Sequence, residues 1–127
     1  MPYSVNIMPN SASPNLLGPH VVTLVYDGLC TFEFGVAYEI FGLARPEMGA
    51  DWYRFSACAI EDGPLRAAGG LTVKADHGLE VIADADLIVV PGWRGIGTPV
   101  PAALIIELQA ASRRGVRISR YVRALRS

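Results

Sequence analysis

Two short stretches of the chain hold residue types able to do chemistry. One runs from Asp27-Gly28 to Glu33 and contains the thiol of Cys30, three residues before the Glu33 carboxylate; the other is Pro91-Gly92-Trp93-Arg94-Gly95. A carboxylate in the first turn of a helix is favoured by the backbone dipole by roughly 0.3–1 kcal/mol. From there Glu33 could act on a ligand or orient a thiol, or it could serve only to start its helix. Cys30 reads either as a reactive thiol or as a small buried hydrophobe. In the second stretch Gly92 lets a ligand carboxylate or oxyanion come close to a backbone amide. Arg94 could pair with that anion and Trp93 could wall the pocket, although Pro-Gly after a strand also serves as a simple turn.

The other candidate groups carry less. Cys58 lies inside an apolar run and reads as packing. His20 and His77 have no second His, Cys or acid at ligand spacing, and neither cysteine falls in a Cys-x-x-Cys pattern, so no metal site is expected. No Gly-rich phosphate loop follows the first apolar run, and no cofactor is expected.

These loops need elements to hold them. His20-Val-Val-Thr-Leu-Val-Tyr26 is a β-branched run that stops at Asp27-Gly28, as a strand buried on both faces does. A helix follows from Phe32 to Leu43, with Phe32, Val36, Ala37, Ile40 and Phe41 expected inward and Glu39 outward. Tyr53 to Ile60 alternates as a second strand closed by Glu61-Asp-Gly-Pro64, and Leu65 to Lys74, broken by Gly69-Gly70, reads as a short hairpin or an extended excursion. Leu87-Ile-Val-Val90 is a central parallel strand. Pro101 opens a helix through Arg114, with Leu104, Ile105, Leu108 and Ala111 on one face and Gly115 beyond its end. A last strand starts at Val116. The order predicts an α/β fold of parallel units wound on both faces of one sheet, where ligands sit at the carboxyl ends of strands near the switch in strand order.

Composition agrees with a globular domain: 127 residues, 51% apolar and 18% charged. No run reaches the roughly 18–20 apolar residues of a membrane span, no signal-peptide pattern opens the chain, and the expected location is cytoplasmic. The net charge of −1 hides an asymmetry, since Arg113, Arg114, Arg117, Arg120, Arg123 and Arg126 are six of the eleven basic residues. Clustered Arg can neutralise phosphates, yet this spacing fits a solvated tail better than a nucleic-acid surface. Residues 1–19 read as a flexible leader, 20–119 as the domain and 120–127 as a divergent Arg-rich tail.

Taken together, Leu24-Val-Tyr-Asp-Gly-Leu-Cys-Thr-Phe-Glu33, Glu39-Ile-Phe-Gly-Leu-Ala44, Trp52-Tyr-Arg-Phe55 and Ile88-Val-Val-Pro-Gly-Trp-Arg-Gly95 resemble the amino-terminal domain of FtrA-like transcriptional regulators. Those proteins join a ThiJ/PfpI-type, glutamine-amidotransferase-like domain to an AraC-type helix-turn-helix module. The resemblance covers about residues 20–118 and implies a flavodoxin-like sheet, with Glu33 matching the family's acid and Gly92 its glycine. The family's elbow cysteine, due near Tyr121 or Val122, has no match, because Arg120-Tyr-Val-Arg-Ala-Leu-Arg-Ser127 stands there.

A departure this abrupt is what a frameshift or misplaced terminus would produce. It implies a sheet incomplete on its C-terminal side, with apolar faces near Leu87–Val90 and Val116–Ser119 left open to self-association. The expected function is that of a ligand-sensing or dimerisation domain: a small-molecule effector, a homo-oligomer, DNA contacted only through a helix-turn-helix module outside this sequence, and no catalysis. The competing expectation is a cysteine-dependent hydrolase, hydratase or deglycase using Cys30.

Overall fold

A computed structural model of the chain describes residues 18–92 and 98–121. Six strands and two α-helices follow in the expected order. They are β1 (His20–Val25), α1 (Thr31–Ala37), β2 (Arg54–Ala59), β3 (Leu65–Ala67), β4 (Leu71–Val73), β5 (Leu87–Pro91), α2 (Ala102–Arg113) and β6 (Arg117–Tyr121). The main sheet has four parallel strands in the order β2-β1-β5-β6, and β3-β4 is a separate antiparallel hairpin. The chain leaves β1 toward β2 on one side and leaves β5 toward β6 on the other, so the strand order switches between β1 and β5. A crevice opens at the carboxyl ends of such a pair.

β1 is buried along its whole length because it is interior to the sheet and both of its faces are covered. Val22, Leu24 and Ile88 pack with Ile82 of the 3₁₀ turn Leu79–Asp84 and with Leu104 and Ala111 of α2. Val21 and Val89, on the other face, pack with Ala37 of α1, Phe41, Tyr53 and Phe55. At the amino end of β1 the buried His20 ring contacts the Ser56 hydroxyl (2.7 Å) and Asp84, while the Asp86 carboxylate accepts the His20 amide (2.8 Å).

Three expectations about facing are corrected. In the first helix Phe32 is 69% exposed and Ile40 47% exposed, whereas Glu33 is only 4% exposed. The inward stripe is Glu33, Ala37 and Phe41, because the helix starts with its acid turned toward the sheet and continues past Ala37 as a π-turn, Tyr38–Gly42. That wider turn shifts the phase of everything after it. In α2, Leu104 and Ala111 are buried and Leu108 packs against them, but Ile105 is 41% exposed. The strand near Leu87–Val90 is not left open: Ile88 and Val89 are buried, since β5 lies between β1 and β6 with packed elements over both faces. Ile118 in β6 is exposed, as expected of the outer strand.

Candidate functional site

The loop that leaves β1 is tied down from the side by the hairpin. The amides of Gly28 and Leu29 both donate to the Arg66 carbonyl (2.8 and 3.0 Å), and the Ala68 amide donates to the Leu29 carbonyl. The Asp27 carboxylate accepts the Arg66 amide at 2.8 Å and pairs with the Arg66 guanidinium at 3.4 Å. The Asp27 amide donates to the Glu61 carboxylate (2.6 Å). This anchoring sets the entry to α1, where Cys30 is the N-cap residue and its carbonyl accepts the Phe34 amide. Glu33 then falls in the first turn, buried against the carboxyl end of the sheet.

From the opposite side β5 ends at Pro91 and turns at Gly92, whose φ is +74°. A side chain there would be strained, because the left-handed region crowds Cβ against the backbone. It would also lack space: a Cβ would lie 3.0 Å from Cys30 Sγ and 3.4 Å from Cys30 Cβ. The glycine therefore serves close approach as well as conformation. The structure brings Cys30 and Gly92, read separately in the sequence, together at the switch point between β1 and β5, and the Glu33 charge acts on Tyr26 at the same end of the sheet. Trp93 and Arg94 lie outside the described residues.

A fourth group belongs here that sequence reasoning placed only as a strand end. Tyr26 is fully buried, and its hydroxyl donates to the Pro91 carbonyl at 2.6 Å, lacing the end of β1 to the end of β5. Burial, and next the adjoining Cys30 thiol, push the phenol well above its ordinary value of 10.0, and the charge of Glu33 adds to the shift. Tyr26 therefore keeps its proton at neutral pH and acts as a donor. The available signal was a tyrosine closing an otherwise aliphatic strand, since a buried phenol needs an acceptor.

Cys58 is fully buried in β2. Burial, with Glu80 adding, pushes its thiol up to about 12, and its Sγ lies 3.3 Å from the Gly78 carbonyl, a packing cysteine as read. Among the described residues no group of three or more His, Cys, Asp or Glu side chains is arranged to hold a metal ion. No described helix is long and apolar enough to cross a membrane. β6 pairs with β5 so that Tyr121, one of the two positions where the resemblance places an elbow cysteine, lies opposite Pro91.

This sheet, with its strand order switching between β1 and β5, has the flavodoxin-like fold of solved AraC family, DJ-1 superfamily and ThiJ/PfpI family proteins. An AraC family transcriptional regulator from Pseudomonas putida matches with a TM-score of 0.63 at 21% identity, over 80% of this chain and 63% of that one. A DJ-1 superfamily protein from Agrobacterium tumefaciens matches with a TM-score of 0.60 at 18% identity, over 80% of this chain and 52% of that one. In sequence, a Streptomyces lividans protein described as an uncharacterized protein in the cpoL 5′ region is 34% identical over 104 residues, 80% of this chain and 72% of that protein. The chain belongs to the family of that Streptomyces protein. The HTH-type transcriptional regulator CdhR of Pseudomonas aeruginosa is 32% identical over 94 residues, which span 73% of this chain and 27% of the regulator. The chain thus corresponds to part of that regulator's length and to between half and two thirds of the two solved structures. No family model matches the sequence.

Proposed function

We propose that this domain senses a small polar metabolite on behalf of a transcriptional regulator, binding it in the crevice between the carboxyl ends of β1 and β5. The observation that carries the reading is the close approach of Cys30 and Gly92 there, with Tyr26 bracing the floor and the Glu33 charge acting on it. The likeness to CdhR and to an AraC family regulator supports the regulatory side of it. On this reading Arg94 and Trp93, which follow Gly92 in the sequence, supply a cation and an apolar wall for the ligand. DNA is read by a helix-turn-helix module outside these 127 residues, and self-association passes on the bound state.

The same reading holds the domain to be non-catalytic. What supports it is that the resemblance's elbow cysteine has no match in Arg120-Tyr-Val-Arg123, while Tyr26, beside Cys30, keeps its own proton at neutral pH. The test is a thermal-shift screen of the chain against small amino acids, carboxylates and amides. A ligand at 100 times its Kd should add about 2.7 kcal/mol of stability. Glu33→Gln, and Gly92→Ala measured against its own lower melting temperature, should abolish the ligand-induced shift while the circular dichroism spectrum below the transition is kept. A hit indifferent to both substitutions would refute the site, and turnover of a hit would refute the non-catalytic reading.

A further inference from the structure

The geometry points to a second ligand site, at the opposite end of the sheet from the β1/β5 crevice, that takes a small aromatic or flat apolar carboxylate. The π-turn Tyr38–Gly42, the segment 43–50 and the approach to β2 enclose a cleft of about 590 Å³, lined among others by Tyr38, Arg45, Pro46, Trp52, Tyr53 and Phe55. That volume lies within the range of small-molecule pockets, and π-turns of this kind gather at functional sites.

The walls are built and held. Tyr38 meets Phe55 edge to face at 5.7 Å, Trp52 meets Tyr53 at 5.0 Å, and Phe41 braces Tyr53 from behind at 4.9 Å. Gly42 is required in the wall, because a Cβ there would run into the Tyr38 ring and come within 3.1 Å of Phe55 Cγ.

One feature fixes the charge of the ligand. Among the described residues that line the cleft, Arg45 alone carries a formal charge. Its guanidinium donates to the Glu39 carbonyl at 3.2 Å, and a guanidinium carries five N–H donors in all. A flat ring between the aromatic walls, with a carboxylate toward Arg45, uses both the walls and the remaining donors. A cationic ligand would meet Arg45 with like charge, although aromatic walls alone would accept it.

The test uses the whole chain labelled with ¹⁵N, the indole signal of Trp52 assigned with Trp52→Phe, and a matched set of probes: phenylacetate, phenylacetamide and phenethylamine. Phenylacetate should bind saturably with Kd on the order of 1 mM, as the efficiency of small ligands suggests. It should move the Trp52 indole and the Phe55 amide while leaving the Gly92 amide still. Arg45→Gln should weaken phenylacetate about tenfold, as loss of a charge-assisted bond does, with phenylacetamide changed less than twofold. The inference is overturned if phenethylamine binds as tightly as phenylacetate or if Arg45→Gln leaves their ratio unchanged. It is also overturned if the Trp52 signal moves with protein concentration alone, which would assign the cleft to a second copy of the chain.

Discussion

Replacing Gly92 by alanine separates two costs that meet at one atom. The left-handed backbone of Gly92 (φ +74°) disfavours any Cβ by about 1–2 kcal/mol. The new methyl would also stand 3.0 Å from Cys30 Sγ, tighter than ordinary packing, and overpacking of this kind costs about 1–3 kcal/mol. Together they predict a loss of about 3 kcal/mol, a shift of roughly 10 °C or more in Tm for a domain near this size. Cys30→Ala removes Sγ and leaves Cβ at 3.4 Å, an ordinary contact, so only the backbone cost remains in the double variant. Urea unfolding of the wild type, the two single variants and the double variant closes a cycle, in which the double variant should be about 1–2 kcal/mol more stable than the sum of the singles predicts. Additivity within about 0.5 kcal/mol would mean that Cys30 and Gly92 do not touch, and the crevice as described would be wrong.

Three further outcomes are expected. Cys58 is buried with its thiol pushed up to about 12, so a thiol reagent at neutral pH should modify one cysteine, Cys30, in the native chain and reach the second only on unfolding; equal rates for both would contradict the burial. Because the Cys58 thiol rises from its ordinary 9.0 on folding, the stability it contributes is whole below pH 9 and lost as pH climbs toward 12. Tyr26 adds a loss of the same sign above pH 10, so Tm should fall with alkali, and less steeply in Cys58→Ala; an unchanged slope would refute that assignment. At the other end of β1, Asp86→Ala strips the acceptor from the His20 amide and should cost about 1–2 kcal/mol in urea unfolding, with Asp86→Asn recovering part of it; no loss would mean that water serves the amide equally well.

Much of the element order was legible because each strand differs from its surroundings locally. β1 is β-branched throughout and ends at Asp-Gly, β5 is wholly apolar and ends at Pro-Gly, and the hairpin is broken by Gly69-Gly70. The facing of the first helix was not legible. Its apolar spacing put Phe32 and Ile40 inside, but burial was decided by how the start of α1 docks on the sheet and by a π-turn that no periodicity of 3.6 anticipates. The 3₁₀ turn Leu79–Asp84, which roofs one face of the core, had no clear local pattern either.

The candidate site divides in the same way. Residue types alone singled out Cys30, Glu33 and Gly92, because a thiol, a helix-start acid and a Pro-Gly turn each carry a local chemical signal. That the three lie at one end of the sheet, with Tyr26 lacing β1 to β5 there, depends on which strands become neighbours, and a parallel β1/β5 pair more than sixty residues apart is a tertiary choice. The aromatic cleft shows it most plainly: Arg45, Trp52 and Phe55 read as a loop and a strand start until the π-turn and Gly42 fold around them. The sequence by itself determined the elements and the chemical groups, through periodicity, turn residues and helix capping, which act over a few residues. The tertiary structure alone decided which of those groups meet, because burial and strand pairing join segments that no local spacing relates.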